Sequence, residues 1–86
     1  MLKNYMEVIV DDMIEDILEK EELDCRCERC IEDVKAIALN NLRPMYVATE
    51  EGVLYTKLKE MNFQFKADVV REIMNGVEKI RQNPRH

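Results

Sequence analysis

The chain has 86 residues, 47% of them apolar and 36% charged, with a net charge of -5 and only two glycines and two prolines. A chain of this length makes one domain, 1–86, that buries only about 60% of its unfolded surface, so a disulfide, metal or partner-subunit staple is expected. The composition excludes a disordered chain, and no apolar stretch reaches the length of a bilayer span, which excludes membrane insertion.

The charge is unevenly spread. Residues 1–24 carry nine acids against Lys3 and Lys20, a net of -7; residues 25–55 come to -1 and residues 56–86 to +3. The acidic half argues against duplex nucleic acid, because phosphate contacts need Lys and Arg. The basic half can meet a smaller anionic ligand, or the two halves can pair helix against helix.

The first helix is predicted from about Asn4 to Glu22. Tyr5, Met6, Ile9, Val10, Met13, Ile14, Ile17 and Leu18 alternate steps of one and three, which is a helical stripe and not the period of a strand. Asn4 is the expected N-cap, with Glu7 completing a capping-box-like pair. Asp11, Asp12, Glu15, Asp16 and Glu19 read as a solvated face, since no histidine or apolar pocket accompanies them.

A joint at Glu21–Glu28 follows and holds Cys25 and Cys27; Cys30, the third and last cysteine of the chain, comes just after it. Three thiolates this close can converge on one ion, and soft sulfur selects zinc among common metals. Cys30 falls in the first turn of the next helix, where the helix N-terminus favours a thiolate. A closed zinc site needs a fourth donor, with His86, Asp24, Asp33, a second subunit or water as candidates. Structural thiols and a thiol redox sensor are the competing readings of the same cluster. The odd, clustered count, with no secretory leader at Met1–Tyr5, predicts a cytoplasmic protein.

The second helix is predicted from Glu28 to about Asn41, with Ile31, Val34, Ile37, Ala38 and Leu42 as its buried face, widened by Ala36 and Leu39. Arg43-Pro44 closes it. Pro44–Thr49 is the one extended-looking segment, an ordered connection or short edge strand. Thr49-Glu50-Glu51-Gly52 reads as a turn, with Gly52 at a positive φ and a hairpin around it as one option. From Tyr55 to Asn83 the helical pattern returns, as two helices joined near Asn62. Val70, Ile73, Val77 and Ile80 step three, four, three, so the last helix reads either as the centre of a small bundle or as a homodimer seam. Gly76 lies within it and costs about 1 kcal/mol against Ala unless something packs over it. The fold class is all-α: a bundle of three to five helices with a short extended connection, paired as a homodimer.

No catalytic constellation is present. The single histidine is at the chain end and there is no serine, so the chain is read as a non-enzyme.

Several stretches together resemble the ComFB family of bacterial late competence development proteins. They are Asn4-Tyr5-Met6-Glu7, Cys25-Arg26-Cys27-Glu28-Arg29-Cys30, the run Asp33 to Leu42, and Pro44-Met45-Tyr46-Val47. Gly52, Asn62 with Gln64-Phe65, and Asn83-Pro84-Arg85-His86 extend the resemblance over almost the whole chain. The cysteine cluster and Leu39-Asn40-Asn41-Leu42-x-Pro44-x-Tyr46 carry it most. The resemblance implies a small helical homodimer with cysteine-held zinc, linked to DNA uptake and surface motility. It also implies a receptor for a cyclic dinucleotide, cyclic di-GMP or cyclic di-AMP.

Such a ligand needs guanidinium forks, backbone donors and flat groups that stack on bases. Arg43, Tyr46, Thr49 and Arg71 have that chemistry, with Asn40 and Asn41 as base-edge partners. Arg43 reads equally as a solvated loop arginine and Tyr46 as a seam aromatic. A structural adaptor of the competence machinery without a small ligand is the alternative function.

Overall fold

The computed structural model describes residues 2–20 and 28–82. Its first element is not a helix. Lys3–Asn4 form a short strand, β1, and Tyr46–Val47 form β2. The two pair antiparallel, Lys3 opposite Val47 and Asn4 opposite Tyr46. The extended segment expected at Pro44–Thr49 is therefore an edge strand, and its partner is the chain's own beginning. A two-residue pairing is too small to stand alone. Here the Tyr5 amide donates to the Met45 carbonyl at 2.7 Å, and the Asn4 side chain accepts from the Met45 amide at 2.7 Å.

Helix α1 runs Met6–Lys20, two residues later than the expected start because Asn4 belongs to the strand. The cap position falls to Tyr5, whose carbonyl accepts from the Val8 and Ile9 amides. Asn4 supports the helix start from one residue further out, its Oδ1 accepting from the Met6 amide at 3.1 Å. Met6, Ile9, Val10, Ile14 and Leu18 are buried, and the acids Asp11, Asp12, Glu15, Asp16 and Glu19 are exposed as expected of a solvated face. Helix α2, Glu28–Asn40, buries Cys30, Val34 and Ala38. Its buried line steps by four, one strip round from the expected face. Ile31, Ile37, Leu39 and Leu42 are only half-buried against the core, and Ala36, expected to widen that face, is exposed.

Gly52 is where the sequence reading fails. It lies inside helix α3, Glu50–Glu60, and no described residue has a positive φ. Thr49 is the N-cap, extended at φ -140 and ψ 163, and its Oγ1 accepts from the Gly52 amide at 3.1 Å. Glu50 and Glu51 occupy the first turn, where carboxylates meet the positive end of the helix dipole. The apparent turn is a helix start, and no hairpin forms.

Asn62 separates α3 from helix α4, Phe63–Gln82. Its side chain accepts from the Phe65 amide at 3.0 Å and so caps α4. Val69, Ile73, Gly76, Val77 and Ile80 are buried, chiefly against α2, with α1 packed on both. A Cβ on Gly76 would lie 2.9 Å from the Val34 carbonyl oxygen and 3.3 Å from Val34 Cγ1. The glycine's helix cost is offset by a close approach of two backbones. Ile73, Val77 and Ile80 are thus buried in the chain's own core, which of the two readings of this stripe is the bundle centre. Val70 is half-buried on the flank with Met13, Ile17 and Met74. The fold is all-α, with four helices and the two-stranded clasp among the described residues.

Candidate functional site

The connection from α2 to β2 is held at both ends. Asn41 ends α2 by donating from Nδ2 to the Ile37 carbonyl at 2.8 Å. Arg43-Pro44 then leads away from helical angles, while the β1 clasp pins Met45. Between this connection and the start of α4 a cleft of about 390 Å³ opens. Met6, Leu42, Pro44, Met45, Phe65 and Val69 give it an apolar floor. Its polar wall comes from Arg43, Lys59 and Arg71 with Asp68 and Glu72.

The charges in this wall are not equivalent. Arg71 Nη1 lies 3.2 Å from Asp68 Oδ1 and its Nε 3.5 Å from Glu72 Oε2. Asp68 also accepts from Gln64 Nε2 at 3.0 Å. Both acids are engaged on Arg71, which leaves Arg43 and Lys59 without an ion pair among the described residues. The two bases flank an apolar floor carrying one aromatic ring, an arrangement suited to an anion with a flat apolar part.

A second, more open depression of about 420 Å³ lies on the other side of Pro44 and Met45 and shares Lys59. It carries Tyr46 and Tyr55, which are 66% and 76% exposed, so both rings are available for stacking.

The expected ligand residues therefore separate. Asn41, Arg43 and Arg71 meet in the first cleft, and Tyr46 lines the second. Asn40, the last residue of α2, is exposed and lines neither. Thr49 is occupied as the cap of α3 and lines neither. Lys59, Phe65, Asp68 and Glu72 were not singled out in the sequence. Lys59, exposed on α3 and lining both depressions, could have been found only by reading Thr49 as a helix start and not as a turn.

Of the expected zinc ligands, Cys25 and Cys27 lie outside the described residues, as do Asp24 and His86. Cys30 is 1% exposed in the first turn of α2, among the buried residues of the core. Asp33 is half-buried one turn on. Among the described residues no three metal-ligating groups converge. No helix among them is long and apolar enough to cross a membrane.

These features define a helical domain, with four helices among the described residues, clasped by its short first strand and carrying a cleft with a charged wall beside the clasp. The family model for the late competence development protein ComFB matches residues 3–84, and the chain belongs to that family. It is 30% identical over 64 residues to the competence protein ComFB of Bacillus subtilis (strain 168), a match spanning 74% of this chain and 65% of that protein. A solved structure of the late competence protein ComFB from Bacillus subtilis superposes with a TM-score of 0.86 at 24% identity. That superposition covers 98% of this chain and 92% of the other and establishes the same fold.

Proposed function

We propose that this member of the ComFB family is a non-catalytic cytoplasmic regulator that receives a cyclic dinucleotide in the cleft beside the clasp. The observation that supports it is the division of charge: Asp68 and Glu72 hold Arg71, while Arg43 and Lys59 line the same cleft without an ion pair among the described residues. Arg43 and Lys59 meet the phosphates, Arg71 presents a held guanidinium plane and Phe65 offers a stacking face in the cleft, while Tyr46 and Tyr55 offer theirs in the neighbouring depression that shares Lys59. Cys25, Cys27 and Cys30 would hold a structural zinc at the joint between α1 and α2. The ion supplies cross-linking stability there and takes no part in ligand binding.

Isothermal titration with cyclic di-GMP and cyclic di-AMP tests the reading. Binding by one or both is expected, weakened about tenfold or more by Arg43→Ala and by Lys59→Ala and reduced by salt. No heat and no thermal shift with either nucleotide overturns it. Elemental analysis of protein purified without added metal is expected to give near-stoichiometric zinc; absence of zinc with three titrating thiols overturns the metal reading.

A further inference from the structure

Strand β2 is paired along one edge. The Tyr5 amide donates to the Met45 carbonyl at 2.7 Å and the Met45 amide donates to Asn4 Oδ1 at 2.7 Å, so both main-chain groups of Met45 face β1. Successive residues of a strand turn these groups to opposite edges. Tyr46, opposite Asn4, therefore forms the pair that exchanges no hydrogen bond with its neighbour. Its N–H and C=O point away from β1, and neither has a hydrogen-bond partner among the described residues. An unpaired strand edge is a template for a further strand.

What lies beside this edge identifies the occupant. The open depression of about 420 Å³ is lined by β2 on one side and by Gly52, Tyr55, Thr56 and Lys59 of α3 on the other, with no residue of β1 in its wall. It is a trough between a strand and a helix, on the side of β2 that β1 leaves open. Val47 is 5% exposed, while Tyr46 and Tyr55 are 66% and 76% exposed. Lys59 is exposed and has no ion pair among the described residues. A peptide main chain returns an acceptor and a donor to Tyr46 at strand spacing, which neither a base nor a phosphate does. Its alternate side chains fall beside the two rings, and a carboxylate answers Lys59.

We propose that the open edge of β2 and the trough beside α3 are a docking site for a partner protein, which enters as an extended segment and adds to β2 as a strand. The segment carries apolar side chains at alternate positions and an acidic residue for Lys59. Lys59 is the one charged residue common to this trough and the cleft. Peptide binding measured without nucleotide therefore reports on the trough whatever the cleft receives.

Fluorescein-labelled, end-capped heptapeptide pools test this by anisotropy, titrated with the full chain in the absence of nucleotide. The pools carry Val or Ile at alternate positions and one Glu scanned through the rest, with Lys replacing Glu in the reference pools. At least one Glu pool should bind about tenfold or more tighter than its Lys counterpart, and N-methylation of its main chain should remove about as much. The bound pool should slow hydrogen exchange at the Tyr46 amide about tenfold or more. Lys59→Glu, at an exposed position, should keep its circular dichroism and reverse the preference to the Lys pool. Tyr46→Pro lacks the outward N–H and should bind more weakly than Tyr46→Ala, which keeps it. Leu58→Ala, exposed on α3 and lining neither depression, should bind as wild type does. The proposal is overturned if no Glu pool binds better than its Lys counterpart, if N-methylation changes nothing, or if Tyr46 exchange is unaltered. A Tyr46 amide protected in the free chain in proportion to its concentration gives the edge to a second copy and overturns it too. So does protection of that amide by cyclic di-GMP and by no peptide.

Discussion

Helices α3 and α4 follow one another in the chain and both carry an apolar stripe, yet they use it in opposite ways. α4 turns Val69, Ile73, Val77 and Ile80 into the core, and Gly76 brings its backbone against Val34. α3 buries Thr56 alone and leaves Leu54, Leu58 and Met61 outside. Periodicity therefore reveals that a face is apolar and does not reveal whose surface it meets. In α4 the decision is made by a glycine that lets another helix approach. In α3 the cap at Thr49 sets where the helix begins, and Thr56 is the residue it buries.

The contrast breaks most easily at the centre of α4. Ile73→Ala leaves a cavity at a 0% exposed position and should cost about 2–5 kcal/mol in chemical denaturation. A loss below about 1 kcal/mol would mean that α2 and α4 collapse freely onto one another. Gly76→Ala is the sharper probe. Its helix propensity improves by about 1 kcal/mol, yet its Cβ must come within 2.9 Å of the Val34 carbonyl oxygen unless the helices part. Overpacking should win, with a net loss of about 1–3 kcal/mol; a higher melting temperature would show that the helices separate at little cost.

Smaller effects belong to α3. Thr49→Ala removes the acceptor of the Gly52 amide and should cost about 1 kcal/mol, whereas a turn residue at the tip of a hairpin would be nearly neutral. Its thermal melt against wild type is the measurement. Leu58→Ala, at a 65% exposed position, should stay within about 0.5 kcal/mol of wild type in chemical denaturation. A larger loss would place Leu58 inside the fold and reverse the comparison.

Much of the helical frame could be read directly. The acids and the three-four stepping marked α2 within one residue of its observed end at Asn40, and Asn62 was recognisable as the break where it now caps α4. The misreading at Thr49–Gly52 had a physical source. Glycine favours turns by propensity, but a threonine followed by two acids stabilises a helix start, and capping with tertiary contact outweighed the propensity. The clasp was illegible because Lys3-Asn4 is two residues long and its partner lies far along the chain. The candidate site was half legible: Arg43 and Arg71 announce themselves as guanidinium groups, but only the fold shows that Asp68 and Glu72 occupy one and leave the other.

Asn4 joins these regions in time as well as in space. Its Oδ1 accepts from both the Met6 amide and the Met45 amide, at 3.1 and 2.7 Å. Those two amides, distant in sequence, share one acceptor and should be released to solvent in a single opening event. Hydrogen–deuterium exchange would then record the first turn of α1 and the wall of the cleft as one cooperative unit. A molecule settling against Met45 would slow exchange at the Met6 amide through the acceptor the two share.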